Sequence, residues 1–212
     1  MNATDESSSE NNNSLFPQIR CSHPDAVKWN GRYQSDGDYR QKGHPSYMLQ
    51  EFVHLLSKNG VVLDAAAGVG VNALFVAQQG VSVVALDISE VGLRLLRQRA
   101  AELGVGVDTA VFDLTQPYFP PNCVDAILNF RFLERAAFAA YRQALRPGGL
   151  LFFETFVHLG EEETASYFLE PGELHTAFAD FQIIHSAETE VRGQRSGKMR
   201  HVAQLIARKP EI

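Results

Sequence analysis

The stretch Val61-Val62-Leu63-Asp64-Ala65-Ala66-Ala67-Gly68-Val69-Gly70-Val71-Asn72-Ala73-Leu74 decides the fold. Residues 61–63 are a short β-branched, apolar run, as expected of a strand buried on both faces in a parallel sheet. Asp64 closes it. Small residues follow, and Gly68 and Gly70 let the backbone bend sharply and approach a ligand. From Asn72 onward, Asn-Ala-Leu-Phe-Val-Ala-Gln-Gln predicts a helix that Gly80 stops. Strand, small-residue turn and helix N-terminus make the layout of a nucleotide-binding crevice. They also make an ordinary piece of an α/β protein, and this segment alone leaves both readings open. The glycine spacing of a dinucleotide fingerprint and the Lys-Ser/Thr of a phosphate loop are both missing.

Downstream the alternation continues. Residues 81–86 read as a second strand ended by Asp87. A carboxylate there, one βα unit after Asp64, can accept hydrogen bonds from both hydroxyls of a ribose. Ser89 is the expected N-cap of a helix through Glu102, whose Arg94, Arg97 and Arg99 read as a solvated face. Residues 105–112 predict a third strand, with Asp113-Leu114 at its end; turn chemistry is the alternative to a ligand contact there. Pro117, Pro120 and Pro121 mark a surface loop. Residues 124–130 predict a fourth strand, followed by Arg131-Phe132-Leu133-Glu134-Arg135 and a helix through Leu145. Arg146-Pro147-Gly148-Gly149 reads as a turn before a fifth strand at 150–156. Residues 157–171 form an insertion near the strand ends, and Gly172 opens a short helix to Phe178. Residues 181–190 and 201–208 then pair as a hairpin around the loop 193–198. The expected fold is a three-layer α/β sandwich with a Rossmann-like, seven-stranded, mostly parallel sheet and a C-terminal antiparallel hairpin. Five strand ends, at Asp64, Asp87, Asp113, Phe130 and Glu154, converge on one edge, where such sheets bind ligands.

Upstream, residues 1–22 read as a tail whose first fourteen positions are polar and of low complexity. Residues 23–47 form an arm holding His23, Trp29, Arg32, Tyr33, Tyr39, Arg40, His44 and Tyr47, broken by Gly31, Gly37, Gly43 and Pro45. That interleaving predicts irregular backbone rather than a regular helix, serving as a flap over a pocket or as an anchor to the core. Helical spacing of Tyr47, Met48, Phe52, Val53, Leu55 and Leu56 predicts a helix across 45–58. Residues 23–212 make one domain.

Charge and cysteine usage bound the partners. Nineteen basic against 25 acidic residues give a formal net charge of -6, so nothing favours general attraction to nucleic acid or anionic lipid. A hydrophobic content of 45% supports a full core. Cys21 and Cys123 form no disulfide framework, no C-x-x-C site and no thiolate cluster, and no metal site is expected. With no secretory h-region and no membrane-length apolar run, the expected setting is the cytoplasm, as monomer or homodimer.

The segment 61–74, the phrase Leu-Arg-Pro-Gly-Gly-Leu-Leu at 145–151 and the ordered strand-end acids resemble class I S-adenosylmethionine-dependent methyltransferases. More narrowly, Trp29-Asn30-Gly31-Arg32-Tyr33, Phe168-Leu169-Glu170-Pro171-Gly172-Glu173-Leu174 and the terminal Leu205-Ile206-Ala207-Arg208-Lys209 resemble the small tellurite-resistance and thiopurine-like group. The likeness covers residues 27–210. It implies S-adenosylmethionine as cofactor, with Asp64 near its amino group and the turn at Ala66, Gly68 and Gly70 along the methionine moiety. Asp87 then faces the ribose and Asp113 and Leu114 the adenine, while Asn72, Ile88 and Phe130 complete the set. Ala66 stands where that family usually has its first glycine. On the acceptor side Arg131 is the sharpest candidate, because its planar fork of donors suits an anionic or oxygen-rich group; an ion pair with Glu154 or Glu134 is the alternative. His158 ranks first as a base, ahead of His44 and His185, and Trp29, Tyr33, His44, Tyr47 and Glu154 are assigned to acceptor binding. Related proteins often carry histidine where Glu134 stands. The expectation is methyl transfer to a small molecule. RNA or protein methylation and cofactor binding without catalysis are the alternatives, and the acceptor atom stays open among oxygen, nitrogen, sulfur and a metalloid.

Overall fold

The computed structural model describes residues 23–35, 37, 43–158, 167–193 and 197–211. The expected tail, Tyr39 and Arg40 of the arm, and the acidic run 161–163 lie outside these residues. In chain order the elements are α1 (Pro24–Ser35), α2 (Tyr47–Phe52) with a 3-10 turn (Val53–Leu55), β1 (Val61–Ala65), α3 (Val71–Gln78), β2 (Ser82–Asp87), α4 (Glu90–Leu103) and β3 (Asp108–Val111). There follow β4 (Val124–Phe130), α5 (Ala137–Ala144), β5 (Leu145–Phe156), α6 (Glu173–Ala177), β6 (Gln182–Arg192) and β7 (Met199–Arg208).

One seven-stranded sheet runs β3-β2-β1-β4-β5-β7-β6, parallel through β5 and closed by the antiparallel β6–β7 hairpin. The expected α/β architecture is what the chain adopts. Apolar residues pack on both faces, which explains the near-continuous hydrophobic strands. On one face Leu49, Val76, Leu93 and Leu96 from α2, α3 and α4 meet Val62, Leu128 and Phe152. On the other, Ala137 and Tyr141 of α5 and Leu174 of α6, with Phe178, meet Leu63, Ile127 and Phe153. Chain order reverses between β1 and β4, so the crevice of the sheet lies beyond their carboxyl ends.

The arm departs from expectation, because residues 24–35 are a regular helix. Pro24 takes the first helical position, where its missing N–H costs nothing, and the Asp25 amide donates to His23 Nδ1 at 3.2 Å. Asp25 in the first turn and Arg32 in the last suit the helix dipole. Trp29 and Tyr33 sit one turn apart and stack, with ring centroids 5.6 Å apart. Gly31 lies on the exposed side, where it costs about 1 kcal/mol of propensity that packing overrides.

Three other boundaries move. The helix expected over 45–58 is only α2 and its 3-10 turn, and Tyr47 is 71% exposed rather than part of the buried face. The third strand begins at Asp108, not 105, since its sole partner β2 reaches it first through Val84. The fifth begins at Leu145: Val124 pairs with Leu145 and Ala126 with Leu150, so the Arg-Pro-Gly-Gly turn is an irregularity inside the strand. Ser89 caps α4 as expected, its Oγ accepting the Gly92 amide at 3.1 Å.

Candidate cofactor and acceptor site

The turn after β1 is built by its neighbours. Ala66 has φ +57°, so it occupies the left-handed region that glycine would take freely. Gly68 (φ +58°) is fixed twice. Its amide donates to Asp87 Oδ2 at 2.7 Å, and a Cβ there would sit 2.7 Å from the Tyr33 hydroxyl. Gly70 (φ +74°) has no space for a side chain because Leu96 of α4 fills it. Strand, turn and α3 are thereby packed into one rigid cradle.

Asp64 closes β1 inside this cradle, only 2% exposed. Its Oδ2 is buried without a hydrogen-bond partner among the described residues. Burial pushes its pKa up to about 8, against the stabilising Ala73 amide and with help from the Asp87 charge. An orphaned buried carboxyl oxygen is costly unless a ligand satisfies it. Asp87, at the end of β2, is raised by burial too, opposed by backbone donors. Its Oδ1 accepts the Ser89 amide at 2.7 Å while Oδ2 takes Gly68, leaving further lone pairs on both oxygens. Ile88, half-buried, lies between these two anchors.

Asp113, just past β3, shows the turn chemistry that was the alternative for it. Its Oδ1 accepts both the amide and the hydroxyl of Thr115, and Oδ2 lies 3.7 Å from His23 Nε2. Leu114 buries its side chain in the core, so only its backbone is available to a ligand. α1 spans this side: Asn30 Oδ1 accepts from Ser89 Oγ at 2.7 Å and from the Val91 amide at 3.2 Å, while Tyr33 packs with Val69 and Val91.

The acceptor-side candidates fall into two sets. Arg131 and Glu154 come together, with Arg131 Nη2 2.8 Å from Glu154 Oε1. Of the two ion-pair partners weighed, Glu154 is the one engaged. Glu154 is 2% exposed, and its Oε2 accepts from Gln204 Nε2 at 2.6 Å and Ser46 Oγ at 3.4 Å. The Arg131 side chain remains 37% exposed, its guanidinium lying over the Phe156 ring at 5.1 Å. Burial lowers its pKa, opposed by Glu154. The Ser46 amide also donates to Asn72 Oδ1 at 3.0 Å, so the end of the arm bridges the cradle after β1 and the Arg131–Glu154 pair. The His158 ring lies 6.0 Å from Phe168, and the exposed His44 lies 5.2 Å from Tyr47. His185, on β6, contacts Gln204 of the neighbouring β7 and the Phe52 ring of α2.

Sequence reasoning missed Ser46, Asn129, Tyr141 and Gln204. Gln204 and Ser46 reach Glu154 from distant chain positions, which no local pattern reports. Asn129 did carry a signal, a polar residue inside the apolar run of β4, because buried amides require partners.

Comparison with known proteins agrees with this geometry. A family model described as a methyltransferase domain matches residues 62–149. A ubiquinone biosynthesis O-methyltransferase from Agrobacterium fabrum is 33% identical over 99 residues, covering 44% of this chain and 40% of the relative. The chain spans between 40% and 58% of the length of the curated relatives it matches. Among solved structures, one described for conversion of a disulfide bond into a thioacetal group during echinomycin biosynthesis aligns with TM-score 0.69 at 20% identity, over 88% of this chain and 92% of that one. TehB from Haemophilus influenzae aligns with TM-score 0.70 at 18% identity, over 77% and 62%. Likeness is thus spread over several small-molecule methyltransferase families and does not single out the tellurite-resistance-like group. No helix among the described residues is long and apolar enough to cross a membrane. The topology, the matched segment and the cradle together give this chain the class I S-adenosylmethionine-dependent methyltransferase fold.

Proposed function

We propose that the chain binds S-adenosylmethionine in the cradle after β1 and transfers its methyl group to a small-molecule acceptor beside Arg131. The observation that carries this reading is the Asp64 oxygen, buried and unpartnered at the point where the sheet order reverses. A buried carboxyl there suits an ammonium once it ionises, and a turn with left-handed backbone at Ala66, Gly68 and Gly70 suits close approach of a ligand. Asp64 would hold the amino group, with Ala66, Gly68, Gly70 and Asn72 along the methionine moiety. Asp87 and Ile88 would take the ribose, Asp113 and the Leu114 backbone the adenine, and Phe130 would line the floor. When bound, the sulfonium supplies a methyl already activated for transfer. The protein's own work is therefore alignment and water exclusion.

Residues 23–47 serve as a lid, through α1 and its Tyr33 and Trp29, and residues 23–212 act as one domain. His44 and Tyr47 mark the acceptor entrance. Arg131, braced by Glu154, presents its exposed edge to the acceptor, and His158 takes the proton when the acceptor atom carries one. The name of the Agrobacterium relative favours oxygen as that atom.

Calorimetry with S-adenosylhomocysteine, then a screen of small phenols, carboxylic acids, thiols and amines with a labelled methyl donor, tests the reading. Binding with turnover of at least one acceptor is expected. Arg131→Ala should then lower acceptor kcat/KM at least tenfold with cofactor affinity unchanged, and Arg131→Lys should rescue only in part, since a point charge lacks the planar fork. No binding at millimolar ligand would overturn the cofactor assignment. Unchanged kinetics in Arg131→Ala with a lowered melting temperature would make that residue a structural ion-pair partner alone.

A further inference from the structure

Arg131 has φ +61°, a left-handed conformation unusual for a residue with a long side chain. A strained residue persists only where its surroundings over-determine it, and here the determinants can be followed. The Arg131 amide donates to the Glu154 carbonyl at 2.8 Å, which fixes the start of the turn to β5. One residue on, the Phe132 carbonyl accepts from Asn129 Nδ2 at 2.8 Å. Asn129 Oδ1 in turn accepts the Tyr141 hydroxyl at 2.9 Å. Asn129 and Tyr141 are fully buried, one on β4 and one on α5. The amide thus spends both ends inside the protein, one on the loop and one on the helix behind it.

We propose that Asn129 and Tyr141 are positioning residues: Tyr141 orients the Asn129 amide, the amide clamps the Phe132 carbonyl, and the clamp holds Arg131 in the left-handed turn that aims its guanidinium between Glu154 and the acceptor. This rests on the acceptor role assigned to Arg131 above. A phenylalanine at 141 would fill the same core, stack as well on Phe119 and meet Phe153 edge-on as the tyrosine does, so the hydroxyl itself is explained by the clamp rather than by packing.

Tyr141→Phe removes the hydroxyl and keeps the ring. A second variant, Asn129→Leu with Tyr141→Phe, removes both buried polar partners together, which limits the stability loss to the unpaired Phe132 carbonyl. Two readouts are taken on each. NMR of the Arg131 guanidinium reports the ion pair with Glu154 and needs no acceptor. Turnover of the acceptor found by the labelled screen, with S-adenosylhomocysteine affinity beside it, reports the consequence. The expected result is a shifted and broadened Arg131 signal, acceptor kcat/KM lowered on the order of 10- to 100-fold, and ligand affinity within about twofold of wild type. An Arg131 signal identical to wild type in both variants overturns the inference whatever the acceptor. A changed Arg131 signal with unchanged turnover overturns the acceptor role of Arg131 itself, and the inference falls with it.

Discussion

Asp64 offers the sharpest quantitative test. Unfolded, an aspartate loses its proton near pH 4; folded, Asp64 keeps it to about pH 8 because burial penalises the anion and Asp87 adds repulsion. Between those limits the folded chain binds one more proton than the unfolded chain. The group's contribution to stability is therefore fully present below pH 4 and declines as pH rises toward 8, by about 1.4 kcal/mol per pH unit, then flattens. Asp64→Asn removes the titration. Urea unfolding of both proteins at intervals from pH 5 to 8, without ligand, should show the variant gaining on wild type at each step. Cofactor binding should show the reverse side of this linkage. To face an ammonium the carboxyl must first give up its proton, so below pH 8 binding releases about one proton. The Kd of S-adenosylhomocysteine should then fall about tenfold per pH unit between pH 6 and 7.5. Calorimetry in buffers of differing ionisation heat counts that proton directly. In Asp64→Asn both the slope and the release should vanish. Equal pH slopes and equal proton release in the two proteins would refute the reasoning.

Three further outcomes follow from the cradle and the chain around it. Asp87→Ala should weaken S-adenosylhomocysteine by about 2–4 kcal/mol through lost ribose contacts, and calorimetry checks it. It should also lower ligand-free stability by about 1–3 kcal/mol, because the buried Gly68 and Ser89 amides lose their acceptor, as a chemical melt would show. Ala66→Gly should raise stability by up to about 1 kcal/mol, read as a higher melting midpoint, since relief of left-handed strain outweighs the added freedom of the unfolded chain. Deleting residues 2–14 should leave melting temperature and ligand affinity unchanged, since so polar a segment adds nothing to a core.

The sheet was legible in the sequence because each of its strands announces itself. Apolar runs ending in acids, helices closed by glycine and a final alternating pair leave few other topologies. The arm was misread for a physical reason. Gly31 and its neighbours were counted as breakers, while the spacing of Trp29 and Tyr33 and the His-Pro-Asp start both pointed to a helix. Propensity penalties of about 1 kcal/mol are routinely overridden by burial of two aromatic rings. The Arg131–Glu154 pair was among the alternatives because both residues sit at adjoining strand ends. Gln204 and Ser46, which complete it, are 50 and 108 residues from Glu154 in sequence, and only the folded topology brings them there.

The glycine-containing turn carries less information about a ligand than its appearance suggests. Gly70 is required by Leu96, a residue of the core, and would be required with no ligand at all. Gly68 is required by Tyr33 and Asp87, which belong to α1 and the neighbouring strand. At Ala66, packed against the core, the chain tolerates a methyl group at positive φ. What separates a ligand cradle from a well-packed turn is instead the group that packing leaves unsatisfied. Each Asp87 oxygen already holds a backbone amide, whereas Asp64 keeps an oxygen buried and unpartnered among the described residues. A buried carboxyl in that state lowers the stability of the empty protein at neutral pH, a loss that ionisation against a bound ammonium would offset. The functional claim therefore stands on one oxygen atom, and the Asp64→Asn titration asks that atom directly.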